Sequence, residues 1–288
     1  MRVGIGLPNA VAGTSGAELR DWAREAEAAG FSTLGTIDRI VYGNYDPLVA
    51  LAAAAVVTER IKLATTVALG PVFAPAARIA KQFLSLDALA GGGRAVLGIA
   101  PGGRPDDYEV ADVAMSERGR WMDRAVKQIR EIWDGVDGGE QIGPRPVGDA
   151  RPTLLVGGWV EASYRRAAQY GDGWIMGGGS PDQFRQALDG VRDHWAREGR
   201  EGEPQTAALS YFALGPDGER AAQAYLGDYY AFLGEEAVGA ITSGAARDAD
   251  TVRAYIAGFK EAGCGELIFF PCSSDPAQVG MLAEAVGL

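Results

Sequence analysis

The side chains that usually carry chemistry are scarce in this 288-residue chain: one histidine and two cysteines. His194 lies in Gly190-Val-Arg-Asp-His-Trp-Ala-Arg-Glu198, a charged helical stretch in which a solvated or half-buried structural role is expected. A single imidazole cannot build an HExxH zinc site, a multi-histidine metal centre or a facial triad. A serine triad would need His194 together with a G-x-S-x-G turn, and no such turn is present. Neither Cys264 nor Cys272 has a second cysteine or a histidine two to four residues away. Chemistry therefore falls to a cofactor, or to Asp, Glu, Arg, Tyr and backbone groups.

Four turns have composition suited to that work. Asp38-Arg39 is a charged pair directly after an apolar run, and Gly98-Ile-Ala-Pro-Gly-Gly-Arg104-Pro-Asp-Asp-Tyr108 follows another. Gly157-Gly158 runs into Trp159-Val160-Glu-Ala-Ser163 and a helix, and Gly177-Gly178-Gly179-Ser180-Pro181 opens a second helix. Glycines allow close backbone approach, and a helix N-terminus offers free N–H groups and the positive dipole end, which together suit a phosphate. Ser163 adds a hydroxyl donor and Arg118 a charge-assisted one. The plainer alternative is a tight turn at Gly157-Gly158 and an N-cap at Ser180. No Walker or G-x-G-x-x-G pattern occurs, which argues against nucleoside triphosphates and a Rossmann dinucleotide site.

The elements that must position these turns alternate along the chain. Strands are predicted at Val3–Leu7, Phe31–Ile37, Ile61–Leu69, Arg94–Ile99, Thr153–Val156, Gly173–Met176, Thr206–Leu214 and Glu266–Phe270. Between them lie helices from Ser15 to Gly30, Asp46 to Thr58, Ala76–Leu89, Glu117–Trp133, Glu161–Tyr170, Pro181–Glu198, Glu219–Phe232, Asp248–Ala262 and Pro276–Ala285. Short, continuously apolar strands fit a parallel sheet buried on both faces. Eight strand–helix units in ~250 residues plus loops predict an α/β fold of the (β/α)8 TIM-barrel type, a doubly wound open sheet being the alternative. One domain over 1–288 is expected, with long loops at about 100–116 and 135–151.

With 27 Lys+Arg against 38 Asp+Glu, the formal charge is −11. Without a basic run the chain has little means of neutralising phosphates in bulk, so no nucleic-acid partner is expected. The longest apolar run, Leu48 to Val57, stops at ten residues, short of the ~20 of a membrane helix, so no membrane partner is expected either. An N-terminus that enters a strand at Val3, with two isolated cysteines, points to a reducing cytoplasm and to a protein without a bound metal.

In matching order along the chain, several segments resemble the bacterial luciferase-like flavin-dependent oxidoreductases. They are Ala80-Lys-Gln-Phe-Leu-Ser-Leu-Asp87-Ala-Leu-Ala-Gly-Gly-Gly-Arg94-Ala-Val-Leu-Gly98-Ile, Arg104-Pro-Asp-Asp-Tyr108, Ser116-Glu-Arg118-Gly, Leu155-Val-Gly-Gly158 and Ala167-Ala-Gln-Tyr-Gly-Asp-Gly-Trp174. The resemblance implies a luciferase-like (β/α)8 barrel whose cofactor is reduced FMN or coenzyme F420, both phosphate-bearing. It implies that Gly158, Trp159, Val160 and Ser163, with Arg118 as partner, hold the flavin phosphate; the glycine turn at Gly177 and Gly178 is the alternative place for it. It places the ring system against Thr66 and Val67, where family members often carry a non-prolyl cis peptide. Many relatives have an acidic residue followed by histidine after strand two; here the pair is Asp38-Arg39, so histidine-dependent proton transfer does not carry over. Asp38 and Arg39 are the candidate catalytic residues, Arg39 to hold an anionic substrate, the flavin edge or developing negative charge. Its alternative is a loop-shaping pair with Asp38 or Asp46. The implied activity is that of a monooxygenase: reduced FMN from a separate flavin reductase, with O2 and a small organic substrate. F420-dependent hydride transfer is the enzymatic alternative, a non-catalytic flavin-binding barrel the alternative of another class, and a homodimer the oligomeric form to test.

Overall fold

The computed structural model describes residues 1–136, 138–148 and 150–288; the two aspartates of the 135–151 loop at positions 137 and 149 lie outside the described residues. In chain order, β1 (Arg2–Gly6) is followed by α1 (Gly16–Ala29), β2 (Thr33–Thr36) by α2 (Pro47–Ala55), and β3 (Lys62–Leu69) by α3 (Gly70–Phe73) and α4 (Ala76–Leu89). Next come β4 (Ala95–Ala100), α5 (Pro105–Val110), α6 (Arg118–Asp134), β5 (Thr153–Gly157), α7 (Glu161–Tyr170), β6 (Gly173–Met176) and α8 (Pro181–Arg197). The chain ends with β7 (Gln205–Phe212), α9 (Gly218–Tyr229), α10 (Glu235–Ser243), α11 (Ala249–Glu261), β8 (Glu266–Pro271) and α12 (Ala277–Val286). All strands are parallel and pair in sequence order, β8 closing on β1, so the predicted (β/α)8 barrel forms and the open-sheet alternative is excluded.

Local signals explain the element ends. Ser15 and Glu18 form a capping box at the start of α1, and Gly30 closes that helix with φ of 94°. Asp46 caps α2 by accepting from the Val49 N–H, with Pro47 in the first turn. Two helices lie outside the predicted set: α5 falls within the predicted 100–116 loop, its six residues too few to show a period, and α10, in the 233–247 stretch for which no element is predicted, buries only Thr242 along its length.

Two apolar layers result. Trp22, Leu51, Phe83, Ile129, Trp174, Phe184 and Phe259 fill the space between barrel and helices, while Ala64, Val96, Leu155, Ile175, Leu209 and Ile268 belong to the core inside the barrel. At the strands' N-terminal ends, Asp87 accepts from the N–H groups of Gly93, Arg94 and Ala95. Arg94 in turn donates to the carbonyls of Thr58, Ile61 and Ala90. The longest stretch of family resemblance thus builds scaffold, at the barrel end that serves stability.

The opposite end carries the irregular backbone of the barrel. The Thr66–Val67 peptide is cis, and β3 shifts register against β4 between Thr65 and Ala68. Val67 leans towards Gly98 and Gly157: its Cγ1 would stand 3.3 Å from a Cβ on either. The Phe270 ring takes the matching space over Gly6, where a Cβ would meet it at 2.3 Å. Between β7 and α11, the segment bearing α9 and α10 folds over this mouth, with Tyr42 against Tyr229 (5.0 Å between ring centres) and Arg104 over Phe232 (4.3 Å).

Candidate cofactor site at the barrel mouth

The start of α7 leaves backbone donors without side-chain caps. β5 ends at Gly157, and Gly158 then takes φ of 130°, which turns the chain across the barrel mouth. A Cβ on Gly158 would stand 2.3 Å from the Ser163 Oγ, so glycine keeps that hydroxyl uncovered. Trp174 fixes the turn by donating from its indole to the Gly158 carbonyl at 2.8 Å. Val160 occupies the cap position of α7 without a side-chain cap, and the N–H groups of Glu161 and Ala162 have no acceptor among the described residues. Ser163 is buried, and its hydroxyl likewise makes no hydrogen bond among the described residues. Unsatisfied helix N–H groups beside an uncommitted buried hydroxyl are the donor set a phosphate requires.

The second glycine turn is different. Ser180 and Gln183 form a capping box that satisfies the first turn of α8, so that helix has fewer free donors for an anion. Gly177 and Gly178 face open space, while Gly179 packs against the half-exposed Trp159 indole, where a Cβ would meet Cη2 at 2.5 Å. Trp159, which follows the first glycine turn, thus touches the second at Gly179. Arg118 begins α6, whose first turn is tied to α7 by a 3.0 Å bond from Arg166 to the Gly119 carbonyl. Its guanidinium donates to the Met115 carbonyl at 2.8 Å and has no carboxylate at ion-pair distance among the described residues, leaving its charge available for a phosphate.

Asp38 and Arg39 diverge sharply. Asp38 is buried at the end of β2, and its Oδ2 accepts from the Leu69 N–H at 2.7 Å, across the top of β3. Burial is the main cause that pushes its carboxyl up to about 7; the Leu69 bond opposes this, the Asp46 and Asp107 charges add to it, and Arg39 opposes it. Arg39 is equally buried but is engaged elsewhere. Its Nε donates to Asp107 Oδ2 at 2.9 Å, its Nη2 to the Val41 carbonyl at 3.1 Å, and Asp106 lies at 3.7 Å. The loop-shaping partner is thus Asp107, with Asp106, where the sequence reading named Asp38 or Asp46. Tyr42, Tyr229 and Phe232 surround the guanidinium with ring centres at 5.3–5.8 Å.

Sequence reasoning did not single out Asp107. Fully buried, it also accepts from the N–H groups of Ile40 (3.0 Å) and Val41 (2.8 Å), clamping the loop after β2 to α5. The carboxylate lies 68 positions from Arg39, so only its place in Arg104-Pro-Asp-Asp-Tyr108 marked it. The aromatic roof was missed too: Tyr211, Tyr225, Tyr229 and Tyr230 come together only because the α9 segment folds back over β7. His194 stands on α8, 3.5 Å from Glu161. Among the described residues no three His, Cys, Asp or Glu side chains converge as metal ligands, and no helix is long and apolar enough to cross a membrane.

Comparison with known proteins agrees with this architecture. The chain is 33% identical over 201 residues to the Mycobacterium tuberculosis protein Rv0940c, covering 59% of this chain and 68% of that one. It is 32% identical over 174 residues to Rv0953c of the same organism, covering 57% and 61%. Among solved structures, monooxygenase RslO1 from Streptomyces bottropensis superposes with a TM-score of 0.78 at 23% identity, over 99% of this chain and 98% of that one. An F420-dependent secondary alcohol dehydrogenase, solved with an F420-acetone adduct, gives 0.84 at 17% identity over the same shares. These two likenesses establish the shared fold. The sequence model of the luciferase-like monooxygenases matches residues 1–265, and the chain belongs to that family.

Proposed function

We propose that the protein is a flavin-dependent oxidoreductase of the monooxygenase type, binding reduced FMN at the barrel mouth and acting with O2 on a small organic substrate. The observation that carries this reading is the start of α7, where two free N–H groups and the Ser163 hydroxyl surround a space that only glycine at 158 leaves open. Ser163, Arg118 and the N–H groups of Glu161 and Ala162 would hold the phosphate. Thr66 and Val67, with the glycines at 98 and 157, would bound the ring, and Trp159 would flank the path between. Bound reduced flavin supplies the electrons that activate oxygen.

The chain's own share is orientation, exclusion of water and proton handling. The α9 segment roofs the mouth, and a water-poor mouth strengthens every polar contact inside it. Arg39, committed to Asp107, positions the β2 loop and through it Asp38. Asp38 is the carboxyl that can hold or release a proton near neutrality. That same property supports the second reading, F420-dependent hydride transfer, since interconversion of a carbonyl and an alcohol needs a proton partner. The F420-dependent alcohol dehydrogenase with the same fold belongs with this alternative.

Titration of the purified protein with FMN and with F420, followed by cofactor fluorescence, separates the readings. Micromolar binding of FMN is expected, together with O2 uptake when a flavin reductase and NADH are added with substrate. Binding of F420 alone selects hydride transfer, and binding of neither overturns the assignment.

A further inference from the structure

Between α9 and α10 lies a cleft of about 510 Å³, lined by Gly227 on α9, by Val238, Gly239 and Thr242 on α10, and by Arg247 beyond it. A Cβ on Gly227 or Gly239 would meet nothing within 4 Å, so the two glycines keep the space between the helices open. Two polar groups at one end of the cleft are buried and unmatched. A serine or threonine inside a helix can return its hydroxyl to a carbonyl one turn back. Ser243 does so, donating to the Ala240 carbonyl at 3.0 Å, but the Oγ1 of Thr242, a residue only 8% exposed, has no hydrogen-bond partner among the described residues. The Arg247 Nε is likewise buried without a partner.

Arg247 is held in place rather than neutralised. Its Nη2 donates to the Thr242 carbonyl at 3.0 Å, which keeps the guanidinium beside the threonine. The backbone behind it is pinned to β7: Ala246 donates to the Tyr211 carbonyl and accepts from the Ala213 N–H, both at 2.9 Å. No carboxylate stands at ion-pair distance from Arg247 among the described residues, and the adjacent Asp248 is engaged in capping α11, where it accepts from the Thr251 N–H at 2.7 Å. Leaving a buried donor unmatched is costly, so two of them at one end of an open cleft mark the place of an acceptor. One donor carries a full charge, and two donors match the two oxygens of a carboxylate. Val238 and the two glycines give the middle of the cleft an apolar wall. We propose that the α9–α10 cleft binds a carboxylate with an aliphatic body, its oxygens on Arg247 Nε and Thr242 Oγ1 and its chain along Val238. Glu219 and Glu235 also border the cleft, but both are exposed, and an exposed carboxylate gains little from a cation. The inference does not rest on the function proposed above.

Isothermal titration calorimetry of the full chain at pH 7 with hexanoate, hexan-1-ol, hexylamine and hexyl phosphate tests it, the four probes sharing a chain and differing in head group. Hexanoate is expected to bind at least tenfold tighter than hexan-1-ol or hexylamine, and no weaker than hexyl phosphate. Thr242→Val removes the unmatched hydroxyl at nearly constant shape, so it should weaken hexanoate binding about three- to tenfold without lowering the melting temperature of the ligand-free protein. Gly239→Leu sets a side chain into the open space and improves the helix propensity of α10; it should abolish hexanoate binding and leave FMN affinity within about twofold. Arg247→Met should cost hexanoate at least tenfold in affinity, and Thr242→Val with Gly239→Leu decides the matter if that variant does not fold. No hexanoate binding to the wild type, tighter binding of any of the other three probes, or wild-type hexanoate affinity in Gly239→Leu overturns the proposal.

Discussion

Asp38 is held where its charge is costly, and that cost has a measurable sign. Burial pushes its carboxyl up to about 7 from the ordinary 3.8, so the native state binds the proton more tightly than the unfolded chain. The stability this group contributes is therefore fully present below the ordinary carboxyl range and is lost as pH rises through 7. Asp38→Asn keeps an oxygen for the Leu69 N–H while removing the charge. We expect it to stabilise the protein by ~1–3 kcal/mol at pH 8, the gain shrinking as pH falls towards 4. Urea unfolding at pH 8 and pH 5 reads this directly, and a destabilisation equal at both values would contradict it. Arg39 carries the opposite expectation. Arg39→Met strands Asp107 as a buried carboxylate without its counter-ion and should cost about 3–5 kcal/mol of stability. A variant with wild-type melting temperature and slowed turnover would instead return Arg39 to the reacting centre. Asp38 and Arg39 stood out in the sequence as a charged pair after an apolar run. Which of the two turns inward did not, because it depends on Asp107, and an ion pair across 68 residues leaves no local periodicity.

At the scale of elements, the sequence reveals what is locally encoded. The bounds of α4, α7 and β6 coincide with those read from periodicity and caps, and α1 starts and stops where Ser15 and Gly30 say it should. The short helices α5 and α10 were illegible because one or two turns carry no period, and α10 faces few neighbours. Two glycine-opened helices looked equivalent as phosphate sites; side-chain capping separates them, since Ser180 satisfies α8 while Val160 leaves α7 open. Gly158→Ala places a methyl against the Ser163 Oγ at a φ that disfavours side chains, so FMN affinity should fall at least tenfold. Ser180→Ala should leave FMN affinity within about twofold, at a helix-stability cost of ~1 kcal/mol. Flavin titration of both variants, with thermal melts alongside, checks the pair; the reverse ranking would move the phosphate to α8.

The whole molecule divides its work between the two ends of the barrel. Asp87, Arg94 and Glu266 lock the strands' N-terminal ends, where Glu266 accepts from the hydroxyls of Ser32 and Thr33. The C-terminal end keeps its polar groups uncommitted at α7 and its aromatic groups gathered under the α9 segment. Eight alternating units made the barrel legible from the sequence, but the roof was not, because nothing in the alternation says that the segment between β7 and α11 folds back over the mouth. The central claim is that this mouth grips a flavin by its phosphate, and comparison of FMN with riboflavin, which lacks only that group, tests it most directly. By fluorescence titration, wild-type protein should bind FMN at least tenfold tighter than riboflavin. Ser163→Asp, which sets a carboxylate where the phosphate belongs, should abolish that difference while leaving riboflavin affinity in place. Equal affinity for FMN and riboflavin in the wild type, or an FMN preference that survives in Ser163→Asp, would contradict it.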